Sequence, residues 1–238
     1  MTDTVAILGG TGAEGFGLAL RWAQAGVSLI IGSREAAKAR AAVERLKEAI
    51  PAAAIEGAVN GEAAARAAVV VLTVPLVAQI PTIKAVREKL RPGTVFVDAT
   101  VPVGAALGDR IARLVTPWPG SAAQQAAAYL PPGVPLVSAL HTLSAAALAD
   151  LPHPLDCDVL ICGDDAAAKA VVSRLVERIA GARAIDAGPL ENARFAEHLA
   201  ALLIALNIGH KVRHSGVRFT GLPVRPETWD PRRGEPET

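Results

Sequence analysis

The chain has 238 residues, of which 51% are hydrophobic and 3% aromatic, with a formal net charge of +1. That is enough apolar mass for one large core, and no basic stripe with interleaved aromatics is present, so nucleic acid is not the expected partner. Two cysteines, Cys157 and Cys162, are too few for a disulfide framework and fit a reducing compartment. There is no secretory leader pattern and no apolar run long enough to span a bilayer, so the chain is expected to be cytoplasmic.

Val5-Ala6-Ile7-Leu8 is an apolar run without polar interruption, which predicts a strand buried on both faces. Gly10, Gly12 and Gly15 follow in G-x-G-x-x-G spacing, and an amphipathic helix from Phe16 to Ala25 ends at Gly26. Strand, glycine turn and helix in that order give the motif its dinucleotide-binding context. A glycine near Gly10 is expected to let the chain reverse, one near Gly12 to let backbone approach a pyrophosphate, and one near Gly15 to let the helix pack against the sheet. The free N–H groups of the first helical turn then face the phosphates.

A second strand is predicted at Val27 to Ile31, followed by a turn at Gly32-Ser33-Arg34 and a charged helix from Glu35 to Glu48. An NAD site places an acid here for the ribose 2′-OH. This chain has Ser33 and Arg34 instead, with Lys38 one turn on. A hydroxyl, a guanidinium and an ammonium suit a 2′-phosphate, at roughly 1.5–3 kcal/mol per charge-assisted bond. NADP is therefore expected over NAD. The plain alternative is that Arg34 and Lys38 are solvated helix charges.

Further strands are predicted at Ile55 to Val59, Ala68 to Val74 and Thr94 to Ala99, with a helix after Pro75 that runs to about Leu90. Five strands alternating with helices predict a doubly wound parallel sheet. Ligands of such sheets bind at the carboxyl ends of the strands, so Thr73, Val74, Pro75 and the stretch Ala99 to Val103 are expected to face the cofactor; loop packing is the alternative. A helix at Ala122 to Tyr129, a strand at Val134 to Leu140 and a short helix after His141-Thr142 come next. Then follow a strand at Asp158 to Cys162, a helix at Ala166 to Ile179, a strand at Ala182 to Ala187, and a helix at Asn192 to His210 that is apolar on most faces. That last helix is expected to be buried in the core or between subunits. The fold class is thus α/β, a Rossmann-like doubly wound, mostly parallel sheet of about eight strands with a small helical C-terminal part. Residues 1–187 would form the NADP-binding domain and 188–222 a C-terminal helix with its following segment. The stretch 223–238, rich in Pro, Arg and Glu, reads as a mobile tail.

No H-E-x-x-H, paired C-x-x-C, G-x-S-x-G or Walker lysine occurs, so neither a metal site nor those nucleophile and phosphate motifs are expected. Cys157 and Cys162 read as small hydrophobes at a buried strand. No catalytic acid or base stands out. That suits hydride transfer between two redox cofactors, which needs alignment more than proton transfer.

Six blocks occur in order: Leu8-Gly9-Gly10-Thr11-Gly12, Ile31-Gly32-Ser33-Arg34, Leu72-Thr73-Val74-Pro75, Val137-Ser138-Ala139-Leu140-His141-Thr142, Cys162-Gly163-Asp164-Asp165 and Asp186-Ala187-Gly188-Pro189-Leu190. Together they resemble the NADPH-dependent coenzyme F420 reductases (F420H2:NADP oxidoreductases), over about residues 4 to 222. The resemblance implies reversible hydride transfer between C4 of the nicotinamide and C5 of a deazaflavin. It implies a phosphate site at Thr11, Gly12, Ala13 and Glu14 and a 2′-phosphate site at Ser33, Arg34 and Lys38. Val74 and Pro75 would line the nicotinamide side, and Ala139, small and at a strand end, would let the two rings approach. His214-Ser215-Gly216-Val217-Arg218 would lie by the deazaflavin. The sequence departs from the family twice: Ser215 replaces an apolar residue, and Ala13-Glu14 replaces Asn-Leu. The family's homodimers would account for the apolar helix 192–210. Lys211, Arg213, His214 and Arg218 suit capture of a phosphate and a glutamate tail, with a solvated surface as the alternative. Two other readings stay open: an NADPH-dependent reductase of a flavin, ferric chelate or imine, and a redox sensor that holds NADP(H) without turnover.

Overall fold

The computed structural model describes residues 4–104, 108–109 and 112–222; the predicted tail at 223–238 lies outside them. Strand β1 (Val5–Leu8) is buried along its whole length and has a parallel partner on each side, β2 (Leu29–Ser33) and β4 (Val69–Leu72). Strand β3 (Ile55–Val59) pairs outside β2, and β5 (Val95–Asp98) and β6 (Leu136–Ser138) pair outside β4. The order is β3-β2-β1-β4-β5-β6, all parallel, and the chain reverses its direction of winding between β1 and β4. A ligand crevice is expected at that reversal.

The uninterrupted apolar runs are explained by cover on both faces. Val5, Ile7, Leu29, Ile31, Val69 and Val71 point to one side. There they meet Leu18, Ala19 and Trp22 of α1 (Ala13–Gln24) and Ala42 and Leu46 of α2 (Ala36–Ala49). Ala6, Leu8, Ile30, Val70 and Leu72 point to the other, against Ala63 and Ala64 of α3 (Asn60–Arg66) and Ile83 and Val86 of α4 (Leu76–Val86). Helix α3 has seven residues and was not predicted; a single Glu-Ala-Ala-Ala-Arg turn offers too few positions for periodicity to register.

The remaining elements are α5 (Ala122–Ala127), α6 (Ala145–Ala149), β7 (Cys157–Ile161), α7 (Ala166–Glu177), β8 (Ala182–Asp186) and α8 (Ala193–His210). The expected sheet of about eight strands divides: six strands form one sheet, while β7 and β8 form a separate parallel pair. An isolated antiparallel bridge between Ser138 and Cys162, the residue after β7, joins the pair to β6. The reason for the division is the shortness of β6. Pro135 precedes it without an N–H to donate, and Leu140 at φ 75° bends the chain away after it. Strand β2 begins two residues later than predicted, because the Val27 N–H donates to the Trp22 carbonyl (2.9 Å) and so closes the turn after α1.

Arg21, buried in α1, fastens α6 to this frame. Its guanidinium donates to the carbonyls of Ala147 (2.6 Å), Leu148 (2.9 Å), Asp150 (2.6 Å) and His153 (2.9 Å). It thereby satisfies the open C-terminal carbonyls of a five-residue helix. Glu197 fastens α8: its carboxylate accepts the N–H groups of Ala122 (2.9 Å) and Ala123 (3.1 Å) at the start of α5. Among the described residues, no helix is long and apolar enough to cross a membrane.

Candidate functional site

The carboxyl ends of β1, β2, β3 and β4 converge on a cavity of about 240 Å³. Its lining includes Gly9, Thr11, Gly12, Ser33, Arg34, Glu35, Lys38, Asn60, Thr73, Val74 and Pro75. The structure thus gathers eight of the predicted residues in one cleft: Thr11, Gly12, Ser33, Arg34, Lys38, Thr73, Val74 and Pro75. The chain reversal expected near Gly10 is made at Gly9, in the left-handed region. Gly9 has φ 88°, and a Cβ there would stand 2.9 Å from Val74 Cγ1. Gly10 instead packs its α-carbon under the strand, where a Cβ would meet the Ile7 carbonyl at 2.9 Å. Gly12 caps α1 and is exposed, and a Cβ added to it would approach only the Gly9 carbonyl, at 3.3 Å. Its backbone is therefore bare toward the cleft, as close approach of a phosphate requires. A Cβ on Gly15 would lie 2.6 Å from Thr73 Oγ1, which accounts for the close packing of α1 on the sheet.

At the end of β2, Ser33 is buried and its Oγ accepts the Glu35 N–H at 3.3 Å. Ser33 is the last residue of the strand, in register with Val59, rather than part of the turn. Arg34 is exposed and makes no hydrogen bond or ion pair with a described residue. Lys38 is less free: its Nζ donates to Glu35 Oε1 at 2.6 Å. Both partners are solvent-exposed, so the pair is weak and readily exchanged. Glu35 and Asn60 are cleft residues that the sequence reading missed. Asn60 Oδ1 is buried without a partner. Its position directly after β3 was the available signal, since strand ends carry the ligand.

Ala13 and Glu14 form the first turn of α1. Ala13 is exposed, whereas Glu14 Oε1 is shielded from solvent and unpartnered. Burial pushes the Glu14 carboxyl up to about 8, toward its neutral form. The stretch Ala99 to Val103 does not line the cleft. Ala99 and Thr100 are buried, and Thr100 Oγ1 donates to Asp98 Oδ1 at 2.7 Å. Ala139 likewise lies in the core, fully buried, with its N–H on the Asp98 carbonyl at 3.2 Å.

Ser215 lines a second cavity, of about 430 Å³, beyond the end of β6. Its lining comes from the stretch after β6, with Thr142, Leu143 and Ser144, from Asp150, His153 and Asp156, and from Arg213, His214, Ser215 and Gly216 after α8. The hydroxyl of Ser215 donates to the Leu203 carbonyl (3.3 Å) and its N–H to Asn207 Oδ1 (3.0 Å), which ties the segment to α8. The expected cationic cluster is divided. Arg213 and His214 stay on the wall, but Arg218 turns inward to Asp156 (2.7 Å) and Asp158 (2.9 Å). Asp158 is fully buried and also accepts both Arg183 nitrogens (2.8 and 2.6 Å) and the Phe219 N–H (2.7 Å). Burial would raise its carboxyl, but Arg183, the Phe219 N–H and Arg218 outweigh that and hold it down at about 2. His141, buried at the end of β6 with both ring nitrogens unpartnered, is lowered to about 4 by burial and stays neutral. Cys157 and Cys162 are buried, and burial pushes their thiols up to about 11 and about 12, so both are inert at neutral pH.

The profile of the family described as NADP oxidoreductase, coenzyme F420-dependent, matches residues 4–102. An F420-dependent NADP reductase of Methanothermobacter marburgensis is 47% identical over 222 residues, covering 92% of this chain and 99% of that one. The enzyme of the same name from Methanocaldococcus jannaschii is 43% identical over 92% of this chain and 99% of its own length. A crystal structure from Arthrobacter sp. FB24, assigned as an F420-dependent NADP reductase, superposes with a TM-score of 0.76 at 26% identity over 90% of this chain and 98% of that one. With relatives this similar over their whole length, the chain belongs to the family of F420-dependent NADP reductases.

Proposed function

We propose that this protein transfers a hydride reversibly between NADP(H) and the deazaflavin coenzyme F420, with the nucleotide in the β1–β4 cleft and the deazaflavin reaching it from the second cavity. The observation that carries the reading is the end of β2, where Ser33 and an uncommitted Arg34 stand in place of an acid. The N–H groups at the start of α1 and the bare backbone of Gly12 hold the pyrophosphate, beside Thr11 and Ala13. Arg34 and Ser33 take the 2′-phosphate, and Lys38 joins them by exchanging Glu35 for the phosphate. Val74 and Pro75 pack on the nicotinamide side and keep water from it. When bound, the two coenzymes supply the redox chemistry themselves, one giving the hydride and the other receiving it.

The chain's own residues then orient and shield. The wall of the second cavity, Arg213 to Gly216, is tied to β7 by the Asp158 N–H on the Val217 carbonyl (2.7 Å) and by Arg218. Ala139 acts from beneath, since a larger side chain in its fully buried site would displace the chain leading to Thr142 and Leu143, which line this cavity. The exposed apolar side chains Phe195, Leu202, Leu206 and Ile208 of α8 suit a homodimer interface, and light scattering at twice the chain mass would support it. The reaction is tested by steady-state NADPH oxidation with oxidised F420, free flavin and a ferric chelate in parallel. Turnover confined to F420 is expected; turnover confined to flavin or chelate would overturn the choice of acceptor.

A further inference from the structure

One amide in the nucleotide cleft has no partner in the fold. Asn60 follows β3 directly and is the first residue of α3, and it lines the cleft together with Ser33, Arg34 and Lys38. An asparagine at a helix start ordinarily caps it, but α3 has no side-chain cap. Asn60 Oδ1 is shielded from solvent and unpartnered, lying over Gly32, where an added Cβ would stand 2.9 Å from it. The side-chain amide makes no hydrogen bond with a described residue. A shielded acceptor kept unpaired is costly. Nδ2 is neither bonded nor shielded, so the end of the amide that meets the cleft is its donor end.

The strand register places that donor. Ser33, the last residue of β2, pairs with Val59, the last residue of β3, so Asn60 stands level with Arg34 on the neighbouring strand. Adjacent strands lie about 4.8 Å apart, so one phosphate group is within reach of both residues. We propose that Asn60 is a second coenzyme-specificity residue, whose Nδ2 donates to the 2′-phosphate of the bound nucleotide from the β3 side while Arg34 and Ser33 hold it from β2. The choice of an amide carries the discrimination. A carboxylate has nearly the same shape but only accepts: it would take the proton of a ribose 2′-OH and repel a 2′-phosphate. Asn60 therefore repeats on β3 the choice made at Ser33 and Arg34 on β2, where an acid is also absent. Being neutral, it adds a donor to the phosphate without a third cation beside Arg34 and the Lys38–Glu35 pair.

The proposal rests on the cleft being the NADP(H) site, so the experiment separates the two. Dissociation constants of NADPH and NADH are measured by nucleotide fluorescence for the wild type, Asn60→Ala, Asn60→Asp and Arg34→Ala. Asn60→Ala should weaken NADPH roughly tenfold and NADH by less than about twofold, since a bond to a charged phosphate is lost and nothing else. That variant also removes the unpaired acceptor, so its melting temperature should not fall. Asn60→Asp should reduce the preference for NADPH over NADH at least as far as Asn60→Ala does. The preference ratio is the deciding quantity, because a residue that merely shaped the cleft would move both nucleotides together. An unchanged ratio in Asn60→Ala, whether the two affinities hold or fall in parallel, overturns the role of Asn60, and so does a ratio in Asn60→Asp equal to that of wild type. Arg34→Ala should weaken NADPH with Asn60 in place; full NADPH affinity in that variant would instead overturn the placement of the nucleotide in the cleft.

Discussion

Replacing Arg34 with alanine probes the coenzyme preference most sharply. The guanidinium is exposed at the cleft wall and makes no bond with a described residue, so its removal leaves no orphaned partner in the free protein. The whole effect then falls on the bound state. A charge-assisted bond to a 2′-phosphate is worth roughly 1.5–3 kcal/mol, which predicts NADPH binding weaker by about 10- to 150-fold. NADH lacks that phosphate and should change by less than about twofold. Lys38→Ala should cost less, because Lys38 is already shared with Glu35 at 2.6 Å and exposed pairs exchange at little net gain. Fluorescence titration of both nucleotides against the three proteins measures this. Equal weakening of NADPH and NADH, or a larger loss for Lys38→Ala than for Arg34→Ala, would refute the reasoning.

Other perturbations follow from the same contacts. Asp158→Asn removes a fully buried carboxylate that holds Arg183, Arg218 and the Phe219 N–H, and should cost about 3–5 kcal/mol in denaturant unfolding at pH 7. Because that carboxyl is held down at about 2, its contribution is complete above the ordinary carboxylate range and is lost only as pH falls toward 2, so the deficit should be constant from pH 5 to 8. Glu197 has the opposite sign. Burial raises it to about 8, so the native state needs its proton and loses stability as pH rises from the ordinary value toward 8, by on the order of 1 kcal/mol per pH unit. Thermal melts of the free protein should show Glu197→Gln with a shallower decline than wild type from pH 5 to 8. Ala139→Phe must force an aromatic ring into a fully buried site and should destabilise by about 1–3 kcal/mol or more, with the effect on acceptor KM larger than that on NADPH binding.

The inner strands β1, β4 and β5 were legible because each is a short, largely apolar run, and parallel strands covered on both faces leave that trace; the edge strand β3, with Glu56 exposed, carries a weaker one. The glycine turn and Ser33-Arg34 were legible because backbone access and 2′-phosphate charge restrict which residues can stand there. What escaped depends on contacts between distant segments. Nothing in Pro135 or Leu140 alone announces that β6 stops after three residues and leaves β7 and β8 as a separate pair. Arg218 looks like a free cation until the fold brings Asp156 and Asp158 to it across about sixty residues of chain. Ala139 looks like a ring contact by its place at a strand end, yet it shares the core face of Val137, two residues earlier. Glu14 looks like a misplaced charge in the sequence, and burial removes the charge. Asn60 and Glu35 sit at strand ends that point to the cleft, but neither belongs to a motif.

The central claim is tested most directly by anaerobic mixing of the purified protein with oxidised coenzyme F420 and either NADPH or NADH, following the visible absorbance of the deazaflavin. The account predicts rapid loss with NADPH and little with NADH. Persistent deazaflavin absorbance with NADPH demonstrably bound, or equal rates with the two nucleotides, would contradict it.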